Sequence, residues 1–518
     1  MIFYQTGTTI GLIVTSIPAI VGVFLYYTTS HKKTAFTLLV ISAFLIRLLM
    51  ISLDPYLQDW DERFHAIVAK NMMTWPFKPM MVVDPVFAYN YQDWWNSHIW
   101  VHKQPLFMWQ MALSMKLFGV NTIAMRLPLA IMGTIGIWMI REILRRWTSN
   151  EEIAFIAAFL ACFAWYGLEM VAGFQSLDHN DFSFYFYILA GTWAWSKYIV
   201  SDKQVKWAVI TGIFVGCAVL VKWLTAYLVL GGWGVYVLLS PERRGAITSY
   251  AHIALAAAVS LLVFGPWQLY IMHRFPLESA WSYHYNVAHF YRDLGHEGPW
   301  YYHFMITWFL YQMVLVYLAV MGIIASLICK DYNRQLSWSY LAMILVIYGF
   351  FSFVLTRMPG FVYPVSGLVY GMIAIGFFHV LKLPSKLIKS WSVIRLYLAP
   401  CLLLFIGFLG LRPLKIIGAR NEDNAYRNRK INNTTVYKHL DPELVKNYVI
   451  INCPNHEQLE LMYHAGGNAY LSYPTEQVLD SLKATGLKFA AFEFNPQYIL
   501  PDYILNDPDI IKIKDGLQ

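Results

Sequence analysis

The strongest constraint on the fold of this chain is a series of apolar stretches, about twelve in number and each roughly 20 residues long. An α-helix of that length crosses the hydrocarbon core of a bilayer. The stretches lie near residues 8–28, 34–53, 122–141, 150–167, 182–200, 207–221, 224–240, 248–271, 304–329, 336–355, 361–381 and 391–411. The sequence therefore predicts an α-helical polytopic membrane protein with about twelve transmembrane helices.

Composition agrees with a membrane protein. Only 14% of the residues are charged, whereas a soluble domain has about 25%. Aromatic residues reach 17%, as expected where tryptophan and tyrosine line membrane interfaces. No run of like charges indicates a nucleic-acid partner, and the five cysteines show no disulfide framework. The first apolar stretch lacks a basic segment before it, which favours a membrane anchor over a cleaved signal peptide.

The loops between the apolar stretches alternate in charge. Every second loop is rich in lysine and arginine, and the positive-inside rule makes these loops cytoplasmic. The other loops are then extracytoplasmic: 54–121, 168–181, 272–303, 356–360 and the tail after residue 412. We therefore expect a multi-pass protein of the cell inner (plasma) membrane. The first outer loop, 54–121, is too long for a plain connector, and its segment 105–119 predicts a helix lying along the membrane surface.

The chain after residue 411 changes in character. Strand-length apolar runs (NYVIINC, AYLSYP, KFAAFEF and DIIKIK) alternate there with helical patterns. This pattern predicts a transmembrane domain over residues 1–411 and a small soluble α/β domain over 412–518, with a partly parallel sheet. No glycine-rich phosphate loop follows a strand, so the tail is interpreted as a structural or acceptor-contacting domain.

Asp61 and Glu62 are two adjacent carboxylates at the start of the first outer loop. Asp61 is a candidate general base, because a carboxylate can take a proton from an acceptor hydroxyl or amine within hydrogen-bond reach. The alternative is a solvated first turn of a helix, where acidic residues are favoured. Asp61 and His65 are also four residues apart and would share a helix face, which could form half of a metal site.

Other outer-loop residues are candidates for binding an anion or a cation. Lys103, after His102, could face a phosphate or could anchor a surface helix. Arg357 could clamp an anionic group or anchor its helix at the interface. Asp178 and Asp181 could ligate a divalent cation or cap the following helix.

In order along the chain, these motifs resemble those of the integral-membrane GT-C glycosyltransferases that use polyprenyl-phosphate sugars. This family includes protein O-mannosyltransferases and the bacterial lipid A aminoarabinose transferase. Residues 61–66 (DERFHA) are similar to the family's Asp-Glu-x-Arg-Tyr-x-Ala element. Residues 103–106 (KQPL), followed by Trp109, resemble Lys-Pro-Pro-Leu-x-x-Trp, with glutamine in place of the first proline.

Four further segments extend the resemblance over roughly residues 50 to 380. Residues 175–181 resemble an acidic Gly-Asp-x-Asp-Ala loop but lack its preceding arginine, and 220–223 resemble Leu-Thr-Lys-Gly with two departures. Residues 281–296 resemble a Trp-x-Tyr-x-Tyr-Asn segment that ends in Gly-His, and 356–359 resemble Thr-Lys-Met-Pro. The family's Arg-Phe pair is replaced by His-Phe in this chain, so the resemblance points to Arg292 as the cation.

The resemblance implies transfer of a sugar from a polyprenyl monophosphate to a protein, lipid A or another glycan, outside the cytoplasm and with inversion. Asp61 would be the base and Glu62 a supporting group. The donor phosphate would be bound by cations, and the sugar, acceptor or a metal would be supported by polar side chains. The cations are Lys103, Arg357 and Arg292, and the polar side chains are Asp178, Asp181, His296, His65 and His102. No cofactor is implied with certainty, and a divalent cation is left open.

Two other membrane functions are alternatives. A transporter would place ionisable groups at the bilayer midplane, whereas here they cluster at one face. An O-antigen polymerase or ligase would have its largest polar loop late in the bundle, whereas here the first outer loop dominates. A third alternative is a silent scaffold that contributes its soluble tail to a complex.

Overall fold

The computed structural model describes residues 3–174, 179–222, 224–292, 294–386, 388–495, 498–514 and 517. The first half of the membrane region contains α1 (Phe3–Thr28), α2 (Lys32–Ser52), α3 (Asp61–Met72), α4 (Leu106–Phe118), α5 (Thr122–Thr148), α6 (Glu151–Cys162), α7 (Trp165–Val171), α8 (His179–Val200) and α9 (Gln204–Val219). The second half contains α10 (Leu228–Leu239), α11 (Pro241–Arg244), α12 (Ile247–Arg274), α13 (Pro276–Ala288), α14 (Tyr302–Tyr311), α15 (Met313–Ile328), α16 (Arg334–Phe353), α17 (Ser366–Lys382) and α18 (Trp391–Leu411).

A helix lies at each of the twelve predicted apolar stretches. Within the described residues, seven helices are long and apolar enough to cross a membrane, and counting each of two bent pairs as one span raises the number to nine. The seven are Thr6–Thr28, Lys32–Ser52, Thr122–Thr148, Ile247–Arg274, Arg334–Phe353, Pro359–Ser385 and Trp391–Ala419. Two shorter apolar helices, Gln204–Val219 and Leu224–Leu239, occupy two more of the predicted positions.

The predicted stretch 304–329 differs from expectation because it is not one straight helix. Its two helices, α14 and α15, meet at an angle of 110°. Gln312 lies between them with a φ of 71°, a left-handed conformation that a non-glycine residue rarely adopts and that cannot continue an α-helix. The stretch 150–167 is also divided, into α6 and the start of α7, with a bend of 50°.

The centre of the bundle is formed by α6, α8 and α17, whose residues are buried almost throughout. Close packing there depends on small residues. A methyl group added at Gly322 of α15 would overlap the backbone oxygen of Met372 in α17, and one at Gly376 would overlap that of Leu318. Glycine therefore lets these two helices approach at backbone distance, as is common between membrane helices.

The predicted surface helix is found as α4. It buries Met108, Met111 and Met115, whereas Leu117 and Phe118 near its end are 67% and 62% exposed. An apolar exposed surface of this kind fits contact with the lipid interface. The rest of the first outer loop is largely irregular, with one antiparallel bridge between Met80 and Ile99.

The C-terminal region contains the expected small sheet. Its strands are β1 (Tyr448–Ile451), β2 (Asn468–Ala469), β3 (Lys488–Phe492) and β4 (Ile511–Ile513), in the spatial order β2-β1-β3-β4. All three strand pairs are parallel, so the sheet is more regular than the partly parallel one predicted. The helices of this region are α19 (Pro413–Ala419), α20 (Ala425–His439), α21 (Pro442–Asn447), α22 (Gln458–His464), α23 (Glu476–Ala484) and α24 (Asp502–Leu505).

Candidate active site

Asp61 is the first residue of α3, and its side chain is partly exposed. The residue before it, Trp60, has a φ of 69°, so the chain turns sharply into the helix. The amino end of a helix carries a partial positive charge, which favours an ionised carboxylate. Asp61 is thus accessible at the amino end of a helix, and its catalytic role stays a prediction.

Glu62 has a different environment from its neighbour. Its carboxylate accepts two hydrogen bonds from Arg126, from Nε at 2.7 Å and from Nη2 at 2.8 Å. It is also bonded to His179 Nε2 at 2.7 Å and to the backbone N–H of Gln58 at 2.6 Å. Burial by itself raises the pKa of Glu62, but Arg126 and His179 hold it well below its usual range. Glu62 is therefore an ionised group that fixes the start of α3.

Gly173 shows how closely this anion is enclosed. Its φ is 72°, and a side chain there would overlap the Glu62 carboxylate. Glycine is required on both grounds, since it tolerates a positive φ and leaves room for the carboxylate. Gly173, in the predicted outer loop 168–181, thus contributes a backbone wall to the Glu62 site.

Lys103 and Asp61 come from opposite parts of the first outer loop, and the charges of both affect the pKa of the Tyr285 phenol in α13. Burial raises the pKa of Tyr285, Lys103 lowers it and Asp61 raises it further. His102 also lies here, with its ring 5.2 Å from that of Tyr285 and stacked at 5.1 Å on Trp94. The structure therefore brings the predicted base and the predicted phosphate-binding lysine to one aromatic-lined place.

The loop after α13 is bonded to the loop after α16. His289 Nδ1 lies 3.0 Å from Thr356 Oγ1, and the Arg357 N–H donates to the His296 carbonyl at 2.9 Å. Tyr285 connects this pair of loops to the first outer loop through a ring contact of 5.4 Å with His289. Arg357 and His296 are thus held next to each other at the border of the site.

Arg292 was predicted as an alternative phosphate-binding cation. It is exposed, and its guanidinium lies 5.7 Å from the ring centre of Tyr291. Arg357, by contrast, is bonded into the loop pair through its backbone, and its side chain is partly buried.

Asp181 forms a buried ion pair with Lys222. The same ammonium group lies 4.7 Å above the ring of Phe361, in the segment that follows Arg357. Asp178, its predicted partner, lies outside the described residues. Within the described part of the chain, no group of three or more His, Cys, Asp or Glu side chains could hold a metal ion.

His65 is buried among rings. Those of Phe107, Trp100 and His179 lie 4.8, 5.7 and 6.4 Å from it, respectively. The His65 side chain thus packs on α4 and against the Glu62 site. Its predicted pairing with Asp61 at a metal remains a prediction.

The C-terminal region holds α3 from the other side through a buried cluster of charges. Lys430 Nζ contacts Glu460 at 2.7 Å and both Glu457 and Asp59 at 3.1 Å. Arg63 of α3 donates to the His456 carbonyl at 2.5 Å. The helix that begins with Asp61 is therefore supported by residues almost 400 positions later in the chain.

A second group of buried ion pairs joins the C-terminal region to the membrane region. Arg420 makes a bidentate pair with Glu169, at 2.9 and 2.7 Å, and reaches Asp54 at 3.0 Å. These partners come from α7 and from the end of the second span. Sequence reasoning missed Arg126 and Arg420, although a charged residue inside or next to an apolar span is itself a signal that a partner exists.

The comparisons with known proteins agree with this architecture. Residues 102–270 match the model of the dolichyl-phosphate-mannose-protein mannosyltransferase family. An uncharacterized protein of Aquifex aeolicus (strain VF5) is 25% identical over 219 residues, which are 41% of this chain and 40% of that protein. The chain thus spans less than half the length of this curated relative.

Solved structures match over most of the chain. ArnT from Cupriavidus metallidurans in the apo state has a TM-score of 0.62 and 17% identity, covering 91% of this chain and 90% of that one. The structure of the same protein bound to undecaprenyl phosphate has a TM-score of 0.62 and 16% identity, and the match covers 90% of this chain and 89% of that one. A third match is the oligosaccharyltransferase AglB from Archaeoglobus fulgidus in complex with an inhibitory peptide and a dolichol-phosphate. Its TM-score is 0.55 and its identity 14%, and the match covers 86% of this chain and 65% of that one.

The chain is therefore a membrane protein with the GT-C glycosyltransferase fold. Residues 102–270, about a third of its length, carry the pattern of the mannosyltransferase family. Both findings confirm the resemblance that the ordered motifs indicated.

Proposed function

We propose that this protein transfers a sugar from a polyprenyl monophosphate to an acceptor on the extracytoplasmic side of the plasma membrane, with inversion at the anomeric carbon. The observation that carries the proposal is the meeting of the first outer loop with α13, where the ring of His102, next to Lys103, lies 5.2 Å from that of Tyr285, and where both Lys103 and Asp61 affect the pKa of Tyr285. The bound undecaprenyl phosphate and dolichol-phosphate of the two structural neighbours support a lipid-phosphate donor. The acceptor is a protein, lipid A or another glycan.

The reaction takes place in one displacement. Asp61 removes the proton of the acceptor hydroxyl or amine, and the acceptor atom attacks the anomeric carbon. The bond between that carbon and the phosphate oxygen breaks, and its electron pair leaves with the lipid phosphate. Lys103 and Arg357 stabilise the negative charge that develops on the phosphate, which is the kind of preorganised electrostatic stabilisation that dominates many enzymes.

Two pairs of matched variants test this mechanism. The full-length protein in lipid nanodiscs is supplied with undecaprenyl-phosphate sugars and acceptors of the three classes, and transfer is followed by mass spectrometry. Asp61→Asn is expected to lower the rate by about 10²–10⁴-fold, the usual contribution of a general base. Asp423→Asn, which changes an exposed acid of the C-terminal region, leaves the rate unchanged.

The lysine pair separates phosphate binding from surface anchoring. Lys103→Met is expected to reduce transfer at least tenfold, because the leaving phosphate loses a cation. Lys116→Met removes an exposed lysine of the surface helix α4 and should leave transfer intact. Full activity of Asp61→Asn would refute the proposed base, and equal loss in both lysine variants would assign Lys103 to anchoring.

A further inference from the structure

Gln104 is the residue that follows Lys103, and its side chain is bonded to the membrane helix α12. Gln104 Oε1 accepts a hydrogen bond from Gln268 Nε2 at 2.7 Å. Gln268 lies near the end of α12, and both glutamines are partly buried. The bond joins residues 164 positions apart in the chain, so it ties the first outer loop to the end of a long helix.

The amide of Gln268 also holds the next helix, α13. The Tyr283 hydroxyl donates a hydrogen bond to Gln268 Oε1. Because the oxygen of this amide is engaged by Tyr283, its nitrogen is turned toward Gln104. One side chain of α12 therefore connects α13 to the residue after Lys103.

The backbone on either side of Lys103 is bonded as well. Before it, the Val101 carbonyl accepts a hydrogen bond from Ser282 Oγ of α13 at 3.2 Å. After it, the Leu106 N–H donates to the Leu220 carbonyl, just beyond α9, at 3.1 Å. The side chain of Lys103 makes neither bond, so both act on the path of the backbone that carries it.

The bond of Gln104 lies between these two points and is next to Lys103 in the chain. The backbone there has one donor fewer, because Pro105 lacks an N–H. The side chain of Gln104 supplies a fixed point in its place. A proline at position 104, which the related motif has, could not make this bond, so the bond is particular to this sequence.

The position of Lys103 matters because a lysine carries its charge on a long and flexible stem. A cation that stabilises a leaving phosphate acts best when it is in place before the charge develops. A displacement of about 1 Å at a reacting group can cost roughly 10²-fold in rate. A fixed backbone narrows the range of positions that the ammonium group reaches.

We propose that Gln104 is a positioning residue for Lys103, which it holds through Gln268 and Tyr283 at the place where the donor phosphate leaves. The proposal rests on the proposed function, since that function assigns Lys103 to the phosphate. Gln104 acts through the lysine and not on the substrate. Loss of its hydrogen bond therefore matters only while the lysine is present.

Transfer kinetics of the full-length protein in lipid nanodiscs give the first test. Gln104→Met keeps the length of the side chain and removes the bond. We expect kcat to fall about fivefold, the usual effect of one neutral hydrogen bond. KM for the donor should change about twofold or less, because the cation acts mainly on charge that develops in the transition state. Gln92→Met, at an exposed glutamine of the same loop, should match the wild type.

A second variant guards against a folding defect. Gln268→Met removes the same bond from the side of α12 and should lower kcat at least as much as Gln104→Met, since it also releases Tyr283. Thermal unfolding shows which of the two variants is folded, and the kinetics of a folded variant decide the outcome.

A double variant distinguishes positioning from a general structural role. Lys103→Met/Gln104→Met should transfer sugar at the rate of Lys103→Met alone, because residues that act as a unit are not additive. A further fivefold loss in the double variant would show that Gln104 supports the protein independently of Lys103, and it would overturn the proposal.

Binding of undecaprenyl phosphate tests the same inference without any transfer. This product is a phosphate monoester with a charge of about −1.5 to −2 at pH 7, more than the donor diester carries, so its affinity reports the position of the cation. In native mass spectrometry, Gln104→Met should bind it about fivefold more weakly than the wild type. In the Lys103→Met background the same change should have no effect.

The outcomes separate this inference from the proposed function. A wild type that binds undecaprenyl phosphate but transfers no sugar would refute the proposed function, and the binding of the variants would still decide the role of Gln104. A wild type that does not bind this lipid would refute both. If the wild type binds and transfers, and Gln104→Met does both equally well, only the positioning role is refuted.

Discussion

Arg126 and Glu62 form a bidentate ion pair, with Nε–Oε1 at 2.7 Å and Nη2–Oε2 at 2.8 Å, inside the protein. Arg126 lies in the first turn of α5, is completely buried, and also donates to the carbonyls of Asp54 and Tyr56. This one guanidinium therefore holds both the helix that begins at Asp61 and the chain that leads into it. The position of Asp61, the proposed base, therefore depends on a residue that makes no contact with substrate in the proposed mechanism.

Breaking this pair is expected to destabilise the protein strongly. Arg126→Met leaves the buried Glu62 carboxylate without its arginine partner, and breaking a buried pair in this way typically costs about 3–5 kcal/mol. Thermal unfolding in detergent measures the loss, and the double variant Arg126→Met/Glu62→Leu should recover part of it. The exposed pair of Arg141 and Glu151 offers a control, because Glu151→Gln should cost at most about 1 kcal/mol. Equal losses of stability in Arg126→Met and Glu151→Gln would contradict the role of Arg126 in holding α3.

Lys430 is expected to control how firmly the C-terminal region holds α3. Burial lowers the pKa of Lys430, but Glu460, Glu457 and Asp59 raise it well above its usual range, so the ammonium is charged. Lys430→Met would leave the three carboxylates short of a cation and loosen this contact. Limited proteolysis of the full chain should then cut faster around residue 420, and transfer should fall. Lys446→Met, at an exposed position of α21, is the matched control and should change neither the rate of proteolysis nor the rate of transfer.

His464 makes the stability of this region sensitive to acid. Burial, aided by Lys438 and Lys70, lowers the pKa of His464 from 6.5 to about 3. Between these values the unfolded chain binds more protons than the native one, so stability is complete above pH 6.5 and falls as the pH drops toward 3. His464 contributes at most about 1.4 kcal/mol per pH unit to the change of the free energy of unfolding with pH.

His464→Gln should therefore flatten the decline of the unfolding midpoint between pH 6.5 and 4 (roughly the upper part of that window). His439→Gln, a change at an exposed histidine of α20, should leave the decline as it is. A steep decline that persists in His464→Gln would show that the carboxylates, not this histidine, cause the acid sensitivity.

Gly322 is expected to tolerate no side chain. Gly322→Ala would push its methyl group into the backbone of α17 and separate α15 from α17, at a cost of about 1–3 kcal/mol. Gly349 of α16 faces open space, so Gly349→Ala should be neutral or slightly stabilising. Thermal unfolding of the two variants distinguishes a specific close approach from a general effect of removing glycine from a helix.

The sequence by itself determined the fold class and predicted the residues of a candidate site. Apolar stretches of bilayer length predict helices whatever surrounds them, because a backbone in lipid must satisfy its own hydrogen bonds. The ordered motifs predicted the GT-C fold, and the outer loops that the sequence singled out meet in the structure around Tyr285. Alternation of short strands and helices predicted the small sheet, since that periodicity is local.

Tertiary structure alone decided which of two adjacent carboxylates is buried against Arg126 and His179. Asp61 and Glu62 have similar chemistry, and their difference arises from Arg126, 64 residues beyond Glu62, and from His179. The docking of Lys430 onto the α3 segment also depends on partners far away in the chain. Burial and ion pairing are properties of packed neighbours, and a pattern of residues along the chain does not reveal which distant neighbours meet.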